Sequence, residues 1–172
     1  MNGRKRVEVV AYNPDWKQEF LRICGMLQPL IGDLVLSIEH VGSTAVEGLA
    51  AKPIIDIDVV MESYAVFPSI VERLAAAGFR HEGNLGVPGR EAFKRDGDDG
   101  FMKYHLYVCP QNSQSLREHI ALRDWLRTHP EARDAYGALK QANAEQYRYD
   151  IDGYIAAKTD FIRGILVQAL NA

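Results

Sequence analysis

The chain has 172 residues, 47% of them hydrophobic and 25% charged, with a formal net charge of −3. These ordinary values exclude global disorder and fibrous classes, and the acidic balance offers no basic excess for nonspecific nucleic-acid or membrane-surface binding. No apolar run reaches the ~18 residues of a membrane span. The basic start through Arg6 leads into a strand-like Val7–Val10 rather than a long apolar run, so no signal peptide is expected. Cys24 and Cys109 lack any CxxC or metal-ligand spacing and read as reduced core thiols of a cytoplasmic protein.

Asn13-Pro14-Asp15 starts the first helix: a capping side chain, then proline, then an acid in the first turn. Trp16, Phe20, Ile23, Cys24, Leu27 and Leu30 follow at helical spacing, and Gly32 ends the run. Residues 34–41 read as a strand closing at Gly42-Ser43. A loop of small residues runs from Thr44 to Pro53, and 54–61 is the strongest strand signal in the chain. Residues 63–77 read as a helix with Gly78 as its stop. Five glycines between 83 and 100 predict a hairpin turning at Asp96–Gly100, with 101–108 as its second strand. Ser115 with Glu118 suggests a capping box for a helix to about Thr128. Pro130 restarts a helix to about Tyr147, and Asp152 caps a last one to about Leu170. The order predicts an α+β fold: a core over 1–110 and a C-terminal helical segment over 111–172, packed as one unit.

The chemistry concentrates in the 54–61 strand. Period-two alternation puts Asp56 and Asp58 on one face and Ile55, Ile57 and Val59 on the other. Two carboxylates in an apolar strand repel each other and need a partner, and a hard divalent cation such as Mg²⁺ or Mn²⁺ supplies it. The plainer alternative is an edge strand with a solvated acidic face. Gly42 and Ser43 lie just upstream. Glycine admits a close phosphate approach, and the hydroxyls of Ser43 and Thr44 can donate to its oxygens. A Walker P-loop is excluded, because no Lys-Ser or Lys-Thr follows Gly48.

A strand, a Gly-Ser turn and a strand bearing Asp-x-Asp resemble the nucleotidyltransferase superfamily. The longer run His40-Val41-Gly42-Ser43-Thr44-Ala45-Val46-Glu47-Gly48-Leu49-Ala50-Ala51-Lys52-Pro53-Ile54-Ile55-Asp56-Ile57-Asp58 resembles the GrpB family. So do His105-Leu106-Tyr107-Val108, Arg123 to Glu131, and Tyr154 to Ile162. The resemblance spans roughly Val7 to Val167 and implies a nucleotidyltransferase-like mixed sheet with flanking helices. It also implies relatives fused to dephospho-CoA kinase. Glu47 departs from a frequent proline and Tyr107 from a frequent second histidine. Active members of the superfamily carry a third carboxylate on a later strand. Here the 101–108 strand offers none on the face of Phe101, Lys103, His105 and Tyr107, which leaves His105 as the substitute base or ligand.

Around this centre, Lys52 and Lys158 are phosphate candidates. Lys158 interrupts an apolar stripe of Tyr154, Phe161 and Ile165. His40 reads as an orienter of the loop and Glu39 as a distant acid. Arg123, Arg127 and Lys140 read as solvated. Arg90, Lys94 and Arg95 flank the glycine-rich hairpin and read as surface residues, with a mobile lid as the alternative. The expected function is Mg²⁺-dependent nucleotidyl transfer from a nucleoside triphosphate to a small acceptor. The alternatives are a non-catalytic nucleotide or phosphometabolite binding module and, third, phosphate-ester hydrolysis.

Overall fold

The computed structural model describes residues 5–171; the start of the basic leader, residues 1–4, lies outside them. The architecture is α+β. Helix α1 spans Asp15–Ile31, β1 Ser37–Val41, β2 Ile55–Met61, α2 Phe67–Ala76, β3 Phe79–Gly83, β4 Glu91–Arg95 and β5 Tyr104–Pro110. Helices α3 (Gln114–Thr128), α4 (Pro130–Gln146) and α5 (Ile151–Leu170) complete the chain. The sheet order is β1-β2-β5-β4-β3. Among the described residues only the central β2–β5 pair is parallel; the other neighbours are antiparallel.

The alternation in β2 divides the molecule into layers. Ile55, Ile57, Val59 and Met61 face one side and pack with Leu106 and Val108 of β5 against α1 and α2, through Trp16, Ile23, Leu27, Ile70 and Leu74. On the opposite face, Val60 and Cys109 meet Leu116 of α3. A second apolar cluster joins the loop after β1 to the last helices through Val46, Leu49, Leu126, Tyr136 and Ile165. The N-terminal segment crosses both parts: Val10 bridges Ala51, and Val7 N–H donates to the Arg148 carbonyl at 2.7 Å.

Several boundaries differ from the sequence reading. The predicted single hairpin is two, because β3 precedes β4 and pairs with it. Strand β3 escaped notice because Arg80, His81 and Glu82 are exposed at the sheet edge, so it shows no alternation. The cap of α3 is Ser113, not Ser115: its hydroxyl accepts the Leu116 N–H. The cap of α5 is Asp150, not Asp152: it accepts the Gly153 N–H. Strand β1 begins three residues later than expected, because Leu34 is still held by a turn bond to the Ile31 carbonyl. No helix of the described residues is long and apolar enough to cross a membrane.

Candidate active site

The parallel pairing of β2 with β5 assembles the centre. Register sets Asp56 beside His105 and Asp58 beside Tyr107. His105 Nδ1 lies 3.0 Å from Asp56 Oδ1. Against an ionised carboxylate Nδ1 is the donor, which leaves Nε2 as a lone-pair acceptor. Asp58 is only 1% exposed. Its Oδ2 lies 2.6 Å from His119 Nδ1, while its Oδ1 is buried with no hydrogen-bond partner. Burial alone would lower the His119 pKa, but the hydrogen bond to Asp58 and the charges of Asp58 and Asp56 outweigh it and raise it. His119 was missed in the sequence. The available signal was the spacing His119, Arg123, Arg127, which puts three polar side chains on one face of α3.

The turn after β1 presses on the acids. Gly42 has φ +75°, and a Cβ there would collide with Asp56 Oδ2. A single 3-10 turn over Ser43–Ala45 follows. Thr44 is buried, and its hydroxyl donates to the Ile54 carbonyl at 3.0 Å. That hydroxyl must therefore accept from His40 Nε2, 2.9 Å away. The Thr44 side chain thus fastens the loop between β1 and β2 and has no proton left for a phosphate. His40 orients that loop as expected; it stacks on Phe20, and burial drives its pKa down to about 4. Ser43 lies next to the Tyr136 hydroxyl of α4.

Helix α3 clamps the same turn. Arg127 donates twice to the Ala45 carbonyl, at 3.0 and 2.8 Å. Arg123 bridges Glu39 at 2.9 Å and the His40 carbonyl at 3.2 Å. Neither arginine is simply solvated, and Glu39 is committed to this ion pair.

A cleft of about 350 Å³ opens between the sheet and the last helices, lined among others by Ser43, Asp56, His105 and His119. Its helical wall carries amines. Lys140 is 1% exposed, the reverse of the solvated position expected, and its Nζ has no hydrogen-bond partner. Lys140 lies over Tyr136, and Lys52 and Lys158 both lie over Tyr154. Among the described residues none of the three pairs with a carboxylate. Burial pushes all three below the usual lysine value, and Lys140, also repelled by Lys158 and Lys52, falls to about 6. Arg90 also lines the cleft, stacked 4.2 Å from the Tyr107 ring, and is no mere surface residue. Lys94 is exposed, and Arg95 is tied to Asp99. Glu47 is exposed, and its carbonyl accepts from Arg133.

Among the described residues no three His, Cys, Asp or Glu side chains converge as a self-sufficient metal site. The acids do leave one uncommitted oxygen each, Asp58 Oδ1 in the interior and Asp56 Oδ2 beside Gly42. Two carboxylate oxygens that rely on a bound ligand for the rest of the shell suit Mg²⁺, which keeps waters and takes substrate phosphates.

The mixed sheet and flanking helices define a nucleotidyltransferase-like fold. A solved structure of Cid1 in complex with its short product ApU superposes with a TM-score of 0.54 at 15% identity, over 77% of this chain and 40% of that one. The GrpB protein family matches residues 6–168, and the chain belongs to it. Glutamate-rich protein GrpB of Alkalihalophilus pseudofirmus is 36% identical over 95% of this chain and 96% of its own length. The crystal structure of GrpB from Enterococcus faecalis superposes with a TM-score of 0.83 at 31% identity, covering 95% of this chain and 98% of that one. Other relatives are longer. The match takes in 46% of YqkA of Bacillus subtilis, at 31% identity over 93% of this chain. It takes in 45% of a dephospho-CoA kinase of Mycolicibacterium paratuberculosis, at 30% identity over 94% of this chain.

Proposed function

We propose that the cleft transfers a nucleotidyl group from a nucleoside triphosphate to the hydroxyl of a small acceptor. One observation carries this reading: three lysines without carboxylate partners among the described residues, Lys52, Lys140 and Lys158, share one cleft with Asp56, and Asp58 lies buried two residues along the same strand face. Amines partly or, at Lys140, fully buried and without counterions are a receptor for a polyanion. The Ser43 turn extends that receptor along the phosphate chain.

In this reading the acceptor oxygen attacks the α-phosphorus and forms the new P–O bond. The bond from that phosphorus to the bridging oxygen of the β-phosphate breaks, and pyrophosphate leaves with the electron pair. The hydroxyl proton passes to His105 Nε2. Asp56 holds the ring by Nδ1, which fixes its tautomer and stabilises the imidazolium that forms. Lys158, together with Lys140 once the bound polyanion has drawn a proton onto its amine, offsets charge gathering on the leaving pyrophosphate. A divalent cation held by Asp56 and Asp58 would polarise the phosphoryl oxygens and offset charge on the leaving group. A solved structure of the Cid1 poly(U) polymerase with MgGTP bound has the same fold, with a TM-score of 0.51 at 17% identity over 77% of this chain and 42% of that one.

A second reading has its own observation. The residue of β5 in register with Asp56 is His105 rather than an acid, and Glu39, which stands beside Asp58 on β1, is taken up by Arg123, so β5 offers the pair no third carboxylate. A module that binds a nucleotide or phosphometabolite without turnover would have that arrangement.

Calorimetry with nucleoside triphosphates and Mn²⁺, joined to a pyrophosphate-release assay, separates the two. Transfer predicts release that falls by roughly 10²–10⁴ in His105→Ala with affinity nearly unchanged. Binding without release against a panel of hydroxyl acceptors supports the module. Absence of any triphosphate binding rules out transfer and a nucleotide-binding module, and leaves only a module for another phosphometabolite.

A further inference from the structure

The two sides of the acid pair differ in charge chemistry. On the β1 side are the Ser43 turn and the lysines, which repel one another. On the other side the sheet continues through β5 to β4, and Arg90 is the residue just before β4. Two strand spacings separate β2 from β4, so the Arg90 backbone stands about 10 Å across the sheet from β2, and its side chain reaches back over Tyr107, the residue in register with Asp58.

Arg90 is built into place. Gly86 and Gly89, both at positive φ, fold the preceding loop back, and the Arg90 N–H donates to the Val87 carbonyl. A Cβ on Gly89 would press on the Ser113 hydroxyl, so this loop is seated against the start of α3. The guanidinium lies over Tyr107, and its Nε is buried with no hydrogen-bond partner. No carboxylate pairs with it among the described residues. An arginine held flat on an aromatic ring, desolvated at Nε and facing a cleft, presents a planar fork suited to an oxyanion. His105 and Tyr107 also line a second cavity of about 490 Å³, whose wall mixes Lys94, Arg95 and Lys103 with Glu82, Asp98 and Asp99. That volume suits a small molecule.

We propose that Arg90 is the anion-recognition point for the acceptor, a small hydroxyl compound that itself carries a phosphate or a carboxylate. This assignment rests on the transfer reading for its word acceptor, but the site stands on its own residues. The acceptor's oxyanion docks on Arg90. Its hydroxyl then lies between Arg90 and Asp56, where the oxygen bonds to the α-phosphorus, pyrophosphate departs and the proton goes to His105.

The test measures anion binding by calorimetry with the nucleotide side filled by a non-hydrolysable triphosphate analogue. The probes are glycerol 3-phosphate, malonate, inorganic phosphate and a short single-stranded oligonucleotide. Glycerol 3-phosphate or malonate should bind the wild-type protein, and the tighter of the two identifies the oxyanion. Arg90→Gln should weaken that binding at least about tenfold, the loss expected of a charged bidentate contact. Triphosphate affinity should stay within about twofold. Arg90→Lys, which keeps the charge and guards against a folding defect, should lose most of the same affinity because it lacks the fork. Equal binding by wild type and Arg90→Gln would overturn the proposal. So would binding of inorganic phosphate as tight as either organic anion, or an oligonucleotide tighter than both. If the analogue fails to bind but Arg90-dependent anion binding persists, the transfer reading falls and this site remains.

Discussion

Lys140 shows how far one side chain can be driven by its surroundings. An amine 1% exposed, with no hydrogen-bond partner and two lysines nearby, is held neutral near pH 7. The unfolded chain takes up a proton at this residue below about pH 10.5, whereas the folded chain does so only below about 6. Between those values the unfolded state binds more protons, so Lys140 makes stability rise with pH across that window. Lys140→Met should therefore stabilise the ligand-free protein by roughly 1–4 kcal/mol at neutral pH. That advantage should shrink as the pH rises toward 9, as read by denaturant titration at a series of pH values. The same variant should weaken triphosphate binding by roughly 10–100-fold, since it removes an amine that takes up a proton when the polyanion binds beside it. At this scale the sequence was legible where a side chain breaks a pattern. Asp56, Asp58 and Lys158 each interrupt an apolar run and were singled out for that reason. Lys140 and Arg90 interrupt no apolar run, and nothing local separates a buried cation there from a solvated one.

The turn joining β1 to β2 depends on shape more than on charge. Gly42 combines φ +75° with contact against Asp56, so any side chain meets backbone strain and a steric conflict together. Gly42→Ala should cost about 1–3 kcal/mol. It should also abolish stabilisation of the fold by Mn²⁺, because Asp56 Oδ2 is displaced; thermal melts with and without Mn²⁺ report both effects. Elements with a clean period were readable: β2 by alternation and α1 by its apolar stripe. Helix α4 buries Tyr136, Gly137, Lys140, Asn143 and Ala144. That face has helical spacing but half-polar chemistry, so a search for apolar residues does not find it. Helix starts slipped by two residues because Ser113 and Ser115, like Asp150 and Asp152, are equally good caps in isolation. The choice falls to the turn that delivers the chain, here the bond from Ser113 N–H to the Pro110 carbonyl.

Across the whole molecule, the cleft is a junction. Asp56 and His105 come from the sheet, and Lys140 and Lys158 from helices that follow. Helix α3 fixes the two parts by bonding backbone with arginines. Arg127→Met would leave the buried Ala45 carbonyl without its two donors and should cost about 1–3 kcal/mol. Urea titration measures that loss, and calorimetry should show weaker triphosphate binding as the Ser43 turn relaxes. The fold class was legible because the Gly-Ser turn and Asp-x-Asp strand occupy consecutive elements. The pairing of Asp58 with His119 was not, since 61 residues separate them and only the docked α3 brings them together. The central parallel pair has a consequence for how the chain reaches this state. Asp56 and His105 are 49 residues apart, and α2, β3 and β4 lie between them. Loop closure must be met before β2–β5 contacts repay it, whereas the β3–β4 hairpin and the individual helices can form from local contacts. Refolding thus leaves the β2–β5 register until the nonlocal strands meet. Partly folded chains can hold much of their secondary structure while Asp56 and Asp58 still lack both histidine partners.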